Sequence, residues 1–197
     1  MLRILMSLAV VLVAVLFSAP SRAGFDEGFG AFGRGDYATA LKEFRPLAEQ
    51  GHTEAQKILG QMYKDGTGVS QDYEEAVRWY RLAEEGGHRL QYMLGELYLY
   101  GRGVPQDYAE AMKRFRFFAE QGLGPAQVDL GFMYANGWGV PQDYVLAHMW
   151  FNLAAAQDGD PLPTEMRDTV AKRMTTAQIA EAQQHAREWK SKNLSTK

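Results

Sequence analysis

Residues with the chemistry for catalysis are sparse in this chain of 197 residues. Cysteine is absent, which excludes a thiol nucleophile, an iron–sulfur cluster and a zinc ribbon. Beyond the first 23 residues the only serines are Ser70, Ser191 and Ser195, so a Ser-His-Asp triad has almost no nucleophile to use. A content of 46% hydrophobic and 23% charged residues is nevertheless that of a foldable globular chain. We therefore expect a folded protein that is not an enzyme and carries no cofactor.

Histidines and carboxylates do not form a recognisable catalytic or metal-binding pattern either. The spacing His-x-x-x-His, which places two metal ligands on one helical face, does not occur. Adjacent acids such as Glu74 and Glu75 point about 100° apart on a helix, which favours a solvated surface over an acidic catalytic pair. The sequence therefore predicts no metal site. The histidines are His52, His88, His148 and His185.

The first 23 residues have the pattern of a secretory signal peptide. Arg3 provides a positive charge, an apolar run follows over 4–17, and the small residues Ser21 and Ala23 precede Gly24. The apolar run is shorter than the roughly 20 residues that a membrane-spanning helix needs, which disfavours the alternative of an uncleaved anchor. We therefore expect cleavage before Gly24 and a mature chain in the periplasm or outside the cell.

The charge of the expected mature chain argues against nucleic acid as a partner. Loss of Arg3 and Arg22 leaves 19 basic residues against 24 acidic ones, a net charge of −5, which repels a phosphate backbone. Because cysteine is absent, no lipid-modified cysteine can anchor the new N-terminus. We expect no nucleic acid partner and no membrane anchor after cleavage.

A repeat of about 35 residues organises the rest of the chain. The dipeptide Asp-Tyr recurs at intervals of 36, 35 and 36 residues, and a period of this length is typical of a solenoid. Many other positions recur in the same register. They include the N-terminal aspartate of each unit (Asp36, Asp72, Asp107, Asp143), a small residue (Ala40, Ala76, Ala111, Ala147), an aromatic residue (Phe44, Tyr80, Phe115, Phe151) and a second aromatic residue (Tyr63, Tyr98, Tyr134).

Each unit contains two helical patterns, which we call helix A and helix B. Helix A has apolar residues at i, i+3, i+4 and i+7, as in Tyr37, Ala40, Leu41 and Phe44. Helix B follows a recurring glycine and repeats the pattern. Small residues such as Ala40 and Gly60 are expected to let the two helices of one hairpin approach closely, with the aromatic residues between hairpins. Because one hairpin cannot bury its faces alone, the units must stack into an all-α solenoid.

Glycine-rich segments of the form Gly-x-Gly-Val-(Ser/Pro)-Gln-Asp connect the units, beginning at Gly66, Gly101 and Gly137. A phosphate-binding loop is disfavoured because no strand precedes them and the P-loop lysine is missing. A structural role fits better: the first glycine can end helix B in a left-handed cap, and the aspartate can N-cap the next helix. Glu75 and Glu110, three residues after the aspartate, are expected to complete capping boxes.

These segments resemble Sel1-like repeats, which are relatives of tetratricopeptide repeats. The resemblance rests on Gly-x-Gly-Val-Pro-Gln-Asp-Tyr and on Ala-Val-Arg-Trp-Tyr-Arg-Leu-Ala-Glu-Glu-Gly at 76–86, and it extends over about 36–159. It implies a right-handed α/α superhelix that binds proteins or peptides as an adaptor or regulator, with helix A lining the concave surface. Members with signal peptides resemble bacterial envelope proteins. One cysteine-rich branch is linked to β-lactam hydrolysis, which a chain without cysteine does not support.

Caps are expected at both ends of the repeat array. Four glycines in 24–33 are expected to weaken the N-terminal helix, since each costs about 1 kcal/mol against alanine. Two C-terminal helices, over 164–174 and 176–192, are expected to cover the last apolar surface. The predicted segments are a signal peptide (1–23), an N-terminal capping half-repeat (24–35), repeats (36–71, 72–106, 107–142 and the start of a fourth over 143–160) and C-terminal capping helices (161–197).

One column of equivalent positions on helix A combines tryptophan and arginine. It reads Glu43, Trp79, Arg114 and Trp150, and a change from Glu to Trp to Arg is unusual for a core position. One interpretation is that the column borders solvent and binds a partner, because exposed Trp and Arg are typical of interaction hot spots. The alternative is that Trp79 and Trp150 are buried between hairpins.

A second pair of columns on helix A carries six cations. They are Lys42, Arg45, Arg78, Arg81, Lys113 and Arg116. Glu49, Glu85 and Glu120 follow the arginines at i+4, so one interpretation is a solvated stripe that pairs with itself. The other is a groove for an acidic peptide or an anionic polysaccharide. In the fourth unit the same places hold Met149, Asn152 and Ala156, which predicts that the stripe ends where the C-terminal helices pack.

Three functions are compatible with these patterns. The favoured hypothesis is a non-catalytic protein- or peptide-binding scaffold, an adaptor or regulator in the bacterial cell envelope. The alternative is an accessory of a cell-wall or carbohydrate-handling enzyme, or a weak hydrolase, which requires two acids within about 9 Å in a cleft. An RNA-binding repeat protein requires a basic face free of acids.

Overall fold

The computed structural model describes residues 22–83, 89–157 and 161–194, and within these ranges it contains helices joined by turns and linkers and no strand. The expected all-α class is therefore confirmed. The helices are α1 (Arg22–Gly33), α2 (Tyr37–Glu49), α3 (Thr53–Asp65), α4 (Tyr73–Ala83), α5 (Arg89–Tyr100), α6 (Tyr108–Glu120), α7 (Gly124–Asn136), α8 (Tyr144–Ala155), α9 (Leu162–Ala171) and α10 (Thr176–Leu194).

The helices stack as hairpins into an α/α solenoid. Three hairpins, α2–α3, α4–α5 and α6–α7, correspond to the predicted pairs of helix A and helix B. Each helix B also packs against helix A of the next unit, α3 on α4, α5 on α6 and α7 on α8. The core is consequently a continuous series of apolar clusters along the array and not one central core.

The recurring aspartates cap the A helices, as predicted. The prediction that they form capping boxes with Glu75 and Glu110 is wrong. The Asp72 carboxylate accepts hydrogen bonds from the Glu74 and Glu75 amides at 3.0 Å, and Asp107 accepts one from the Glu110 amide at 3.0 Å. A capping box needs the aspartate's own amide for the glutamate side chain. The amide of Asp72 donates instead to the Tyr63 carbonyl at 2.9 Å. The linker thus uses that donor to fasten itself to helix B.

Both glycines of each linker are required by its path. The first ends helix B in the left-handed conformation, with φ of 70° at Gly66 and 63° at Gly101, as predicted. The second lies against the start of helix A in its own hairpin. A Cβ at Gly139 would lie 2.9 Å from Cβ of Tyr108, which leaves no room for a side chain. This second role was not predicted from the sequence.

The glycine within helix B serves a different contact from the one expected. A Cβ at Gly95 would lie 2.8 Å from the Phe115 ring, and one at Gly131 would lie 2.5 Å from the Phe151 ring. Phe115 and Phe151 belong to helix A of the following unit. The expectation that these glycines close the gap within one hairpin is therefore wrong, because they receive the aromatic ring of the next hairpin.

Helices at the two ends cover the array. Phe25 of α1 packs on Phe44 of α2 with ring centroids 5.7 Å apart. At the other end α10 packs on α8, and Ala182 and Ala186 of α10 are fully buried, as expected of a helix that covers the last apolar surface. Residues 1–21 lie outside the described residues, so the signal peptide, its cleavage and the segment boundaries remain predictions. Within the described part of the chain, none of the helices is long and apolar enough to cross a membrane.

Candidate functional site

The six cations predicted on helix A are all exposed and lie on three successive A helices, α2, α4 and α6. We call this surface the cation face. It has an inner column and an outer column, which differ in their hydrogen-bond and ion-pair partners. The inner column is Lys42, Arg78 and Lys113, and the outer column is Arg45, Arg81 and Arg116.

The outer arginines are positioned by the recurring tyrosines of helix B. The guanidinium of Arg45 donates to the Tyr63 hydroxyl at 2.8 Å, and that of Arg81 donates to the Tyr98 hydroxyl at 2.9 Å. Arg116 repeats the contact with the Tyr134 hydroxyl at 3.1 Å. A guanidinium has five N–H donors, so one bond fixes its position and leaves most donors for a ligand. The sequence analysis missed these pairs, although the arginine and tyrosine columns share one period.

In the interpretation of a stripe that pairs with itself, each outer arginine bonds the glutamate four residues further along the helix. For Arg45 and Arg116 the described contacts are the tyrosine hydroxyls, together with the Met112 sulfur for Arg116. Glu85, the expected partner of Arg81, lies outside the described residues. The outer column is thus held by neutral groups, which leaves its positive charge uncompensated by these bonds.

The inner column is partly paired, with acids one turn earlier. Arg78 bonds Glu75 at 3.1 Å, and Lys113 lies 3.7 Å from Glu110. In the first unit the equivalent of these glutamates is Thr39, which carries no charge. Exposed pairs of this kind contribute about 0.3 kcal/mol to a helix, so they can exchange for a ligand at low cost.

An exposed apolar column follows the outer arginines, one residue further along each helix. It consists of Pro46, Leu82 and Phe117. Leu82 is 51% exposed and Phe117 is 43% exposed, although both are large apolar side chains that usually enter a core. The sequence analysis did not single out this column, although its regular recurrence next to the cations is visible in the register.

A groove of about 410 Å³ runs along α6 beside this column. It brings together Lys113, Arg116, Phe117 and one acid, Glu120. The predicted cations of the third unit therefore line a concave surface together with an exposed aromatic ring. Such a combination suits a ligand that has both acidic and apolar groups.

The cation face ends at the fourth unit, as predicted. Met149 is buried in a cluster that includes Ala186 of α10, and Asn152 is half-buried. The C-terminal helix therefore covers the position at which the inner column would continue. The candidate site is confined to α2, α4 and α6.

The interpretation of the Trp–Arg column as a solvent-bordering surface is wrong at both tryptophans. Trp79 is 4% exposed and Trp150 is 7% exposed, so the alternative, burial between hairpins, is confirmed. Trp150 packs against Trp189 of α10 with ring centroids 6.2 Å apart. The indole N–H of Trp79 has no hydrogen-bond partner among the described residues. A partner cannot reach either ring without opening the array.

Arg114, the third predicted member of that column, is tied into the protein. Its side chain is 12% exposed, it bonds Glu110 at 2.9 Å and it donates to the Gln91 side chain at 2.8 Å. Its guanidinium also lies 5.4 Å from the centre of the Tyr98 ring. These contacts join α6 to α5, which is a packing role.

The histidines of the described chain have structural surroundings. His52 accepts a hydrogen bond from the Ala55 amide and so N-caps α3, the ordinary role for a polar residue there. Its equivalent, His88, lies outside the described residues. His148 is buried with Nδ1 unpaired, which the sequence analysis did not anticipate. Within the described residues no group of three histidines or acids is placed to hold a metal ion.

Comparison with known proteins identifies the repeat. The family model of the Sel1 repeat matches residues 53–88, 89–123 and 124–159, which together make up more than half of the chain. The chain belongs to the Sel1 repeat family. The matched units begin at α3, α5 and α7, so this family's unit starts at helix B, whereas the units delimited above start at helix A. Sel1 repeat proteins act as protein-interaction scaffolds.

Solved Sel1 structures share the fold. A Sel1 repeat protein from Oxalobacter formigenes is 33% identical with a TM-score of 0.63, over 73% of this chain and 58% of that one. A protective antigen of uropathogenic Escherichia coli strains, described as displaying an SLR fold, is 30% identical with a TM-score of 0.58. That match covers 87% of this chain and 45% of the antigen.

One relative of known name is a regulator. An exopolysaccharide production negative regulator of Rhizobium leguminosarum bv. viciae is 43% identical over 56 residues. The match covers 28% of this chain and 21% of the regulator. The chain therefore spans about a fifth of that relative's length.

Proposed function

We propose that this Sel1 repeat protein is a non-catalytic scaffold in the bacterial cell envelope, where it acts as an adaptor or regulator. Its partner is a protein that presents a segment with acidic and apolar side chains to the cation face. Membership of a family of interaction scaffolds supports binding as the activity. The signal-peptide pattern over 1–23 supports a location in the cell envelope. The relative named as a negative regulator supports a regulatory role.

A single observation carries the assignment of the site: exposed cations and exposed apolar side chains recur side by side on three consecutive A helices. The arginines Arg45, Arg81 and Arg116 are held at fixed positions by tyrosine hydroxyls, which reduces the entropy they lose when a ligand binds. Leu82 and Phe117 offer apolar area beside them. Fixed cations next to apolar area match a peptide in which carboxylates alternate with apolar residues.

An anionic polysaccharide is a poorer match for this surface. It would satisfy the cations, but it would leave Phe117 and Leu82 against a chain with few apolar groups. Long acidic polymers also bind through charge alone and lose affinity steeply with salt. A peptide that buries apolar area retains part of its affinity at high salt.

The proposal is tested by equilibrium binding of a labelled peptide in which glutamate alternates with leucine and phenylalanine. Fluorescence anisotropy is measured with the wild type, with an Arg45→Gln/Arg81→Gln/Arg116→Gln variant and with Phe117→Ser. We expect the triple variant to lose affinity at least about tenfold, because three charge-assisted contacts are removed. Phe117→Ser should weaken binding about threefold or more.

The matched control is Arg167→Gln/Lys172→Gln/Arg187→Gln, which removes the same charge from the C-terminal helices. Its affinity should stay within about twofold of the wild type. If both triple variants lose affinity equally, binding follows net charge and the cation face is not the site. If polygalacturonate binds as well as the peptide and Phe117→Ser has no effect, the ligand is a polyanion and the peptide proposal is wrong.

A further inference from the structure

A second groove lies on another side of the array, between the B helices α5 and α7. One cavity of about 600 Å³ is lined by Tyr92, Phe118, Leu123 and Pro125, together with Gln121 and Gly122. A cavity of about 370 Å³ adjoins it, shares Tyr92 and Pro125, and continues past Asp129 to the start of α9. Because they share these two residues, the two cavities form one open groove with volume for several side chains.

The walls of this groove are mainly apolar and reach solvent. Phe118, Val128 and Pro163 contribute apolar surface. Leu123 is 40% exposed and Leu162 is 41% exposed at its rim. Exposed leucines beside a cavity are the usual composition of a site that buries a ligand's apolar groups.

The wall of the groove contains one carboxylate, Asp129, whose charge is not balanced by a described cation. Asp129 is half-buried, and its one described hydrogen bond comes from the Tyr92 hydroxyl at 2.8 Å. Burial raises the pKa of Asp129 to about 6, and the nearby Glu96 acts in the same direction. Glu96 itself is paired with Lys64 at 3.1 Å. A neutral phenol is thus the group that satisfies Asp129 in the described part of the chain.

The described residues that line the two cavities include no lysine, arginine or histidine. A half-buried carboxylate without a cation is destabilising, and a ligand that brings a cation offsets that cost. The groove therefore selects positive charge, whereas the cation face selects negative charge.

We propose that this groove is a second protein-binding site, which takes a partner segment carrying an arginine or lysine between apolar residues, with the cation placed on Asp129. The combined volume of the two adjoining cavities favours a peptide segment over a small amine. The apolar side chains on either side of the cation occupy the two cavities. Phe117 lines the groove beside the cation face and the adjacent Phe118 lines this one, so α6 borders both sites. The scaffold would join an acidic segment to a basic one.

The test uses the purified protein and three peptides of equal length: two leucines on each side of a central arginine, glutamine or glutamate, with blocked ends. Anisotropy measures affinity, and amide chemical shifts locate the site. The arginine peptide should bind at least about tenfold more tightly than the other two and shift the amides of Tyr92, Gly122 and Asp129.

Asp129→Asn should lower the affinity for the arginine peptide at least about tenfold, while Glu74→Gln, which removes an exposed carboxylate on α4, should change it less than about twofold. Thermal unfolding checks that Asp129→Asn folds, and we expect it to be at least as stable as the wild type at pH 7.5. Between pH 7.5 and pH 5.0 the wild-type affinity should fall about tenfold as Asp129 is protonated. Tyr92 and Glu96 are the other titratable groups that face it.

Several results would overturn the proposal. They are the absence of binding by the arginine peptide, equal binding of the glutamate peptide, or an unchanged affinity in Asp129→Asn. Hexylguanidinium, a free cation on an apolar chain, should bind at least about tenfold more weakly than the arginine peptide. Equal affinity would mean that the occupant is a small organic cation and not a protein segment. This site does not depend on the cation face, so the Gln substitutions at Arg45, Arg81 and Arg116 should leave arginine-peptide binding unchanged.

Discussion

At the scale of single residues, hydrogen bonds that the arginines donate to tyrosine hydroxyls set the geometry of the cation face. Tyr98→Phe removes the acceptor that fixes the Arg81 guanidinium and leaves the ring in place. We expect the affinity for the acidic peptide to fall about threefold, because a typical side-chain hydrogen bond contributes about 0.5–1.5 kcal/mol. Tyr100→Phe, an exposed tyrosine on the same helix, is the control and should have no effect. Equal affinity of wild type and Tyr98→Phe would show that this bond does not position the arginine for binding.

His148 makes the stability of the fold depend on pH. Burial lowers the pKa of His148, and the nearby Arg167 adds to the effect, while Asp168 opposes it. The unfolded chain therefore binds a proton at this imidazole more readily than the folded protein does. The free energy of unfolding should consequently decrease as the pH falls below about 6.5, the ordinary histidine pKa.

The variant His148→Met separates this effect from general acid unfolding. Equivalent positions in the other units hold Leu41, Val77 and Met112, so methionine fits the register. Urea unfolding at pH 7.5 and pH 5.0 should show a smaller difference in stability for His148→Met than for the wild type. An identical difference in both proteins would mean that His148 does not contribute.

The sequence showed the cations but not which residues have shifted pKa values. Both the arginines and their tyrosine partners recur with the repeat, so the pairs were predictable from the register. Asp129 and His148 have no counterpart in the other units: their equivalents are apolar, such as Met93 and Met112. Their pKa values depend on which neighbours exclude water, and that information is present only in the packed structure.

At the scale of helices, the contact between successive hairpins depends on glycine. Gly131→Ala would place a Cβ 2.5 Å from the Phe151 ring, which is fully packed in the core. We expect a loss of about 1–3 kcal/mol in the free energy of unfolding, although alanine is the better helix former.

Gly30→Ala makes the same change where there is room. Its Cβ would meet only the flexible end of Arg34 at 3.2 Å. At this position the higher helix propensity of alanine is the main effect, so the free energy of unfolding should increase by up to about 1 kcal/mol. Chemical denaturation of both variants provides the comparison, and a gain in Gly131→Ala would contradict the assigned contact between α7 and α8.

Helix positions and aspartate caps followed from the sequence, whereas some partners did not. The spacing of apolar residues predicted the paired helices, and Asp72 and Asp107 cap as expected. The prediction of capping boxes was wrong because the linker returns along helix B, where the Asp72 amide donates to the Tyr63 carbonyl. A pattern of residue types cannot reveal which of two acceptors a returning loop brings closer.

At the scale of the whole molecule, the array depends on the cover that α10 provides. Ala186 is 1% exposed and belongs to the cluster that contains Trp150. Ala186→Asp buries an unpaired charge against this cluster and should cost about 3 kcal/mol or more. Ala180→Asp, at an exposed position of the same helix, should change stability by about 0.5 kcal/mol or less.

Tryptophan fluorescence during thermal unfolding reports on this cover directly, because Trp150 and Trp189 meet there. Ala186→Asp should unfold at a lower temperature with a red-shifted starting spectrum, and Ala180→Asp should match the wild type. If the two variants behave alike, α10 does not close the array. The requirement for a cover was predictable from the repeats, since a stack of identical hairpins has an exposed apolar end.

The central claim, that a protein partner binds the cation face within the cell envelope, is tested most directly by photo-crosslinking in cells of the native bacterium. A photoreactive phenylalanine replaces Phe117 in the groove of the cation face or, as a control, Tyr100, which is 56% exposed on α5. We predict a discrete crosslinked protein in the envelope fraction from the Phe117 position, its loss when Arg45, Arg81 and Arg116 are changed to Gln, and no such product from Tyr100. Identical products from both positions, or a product that persists without the three arginines, would contradict the account.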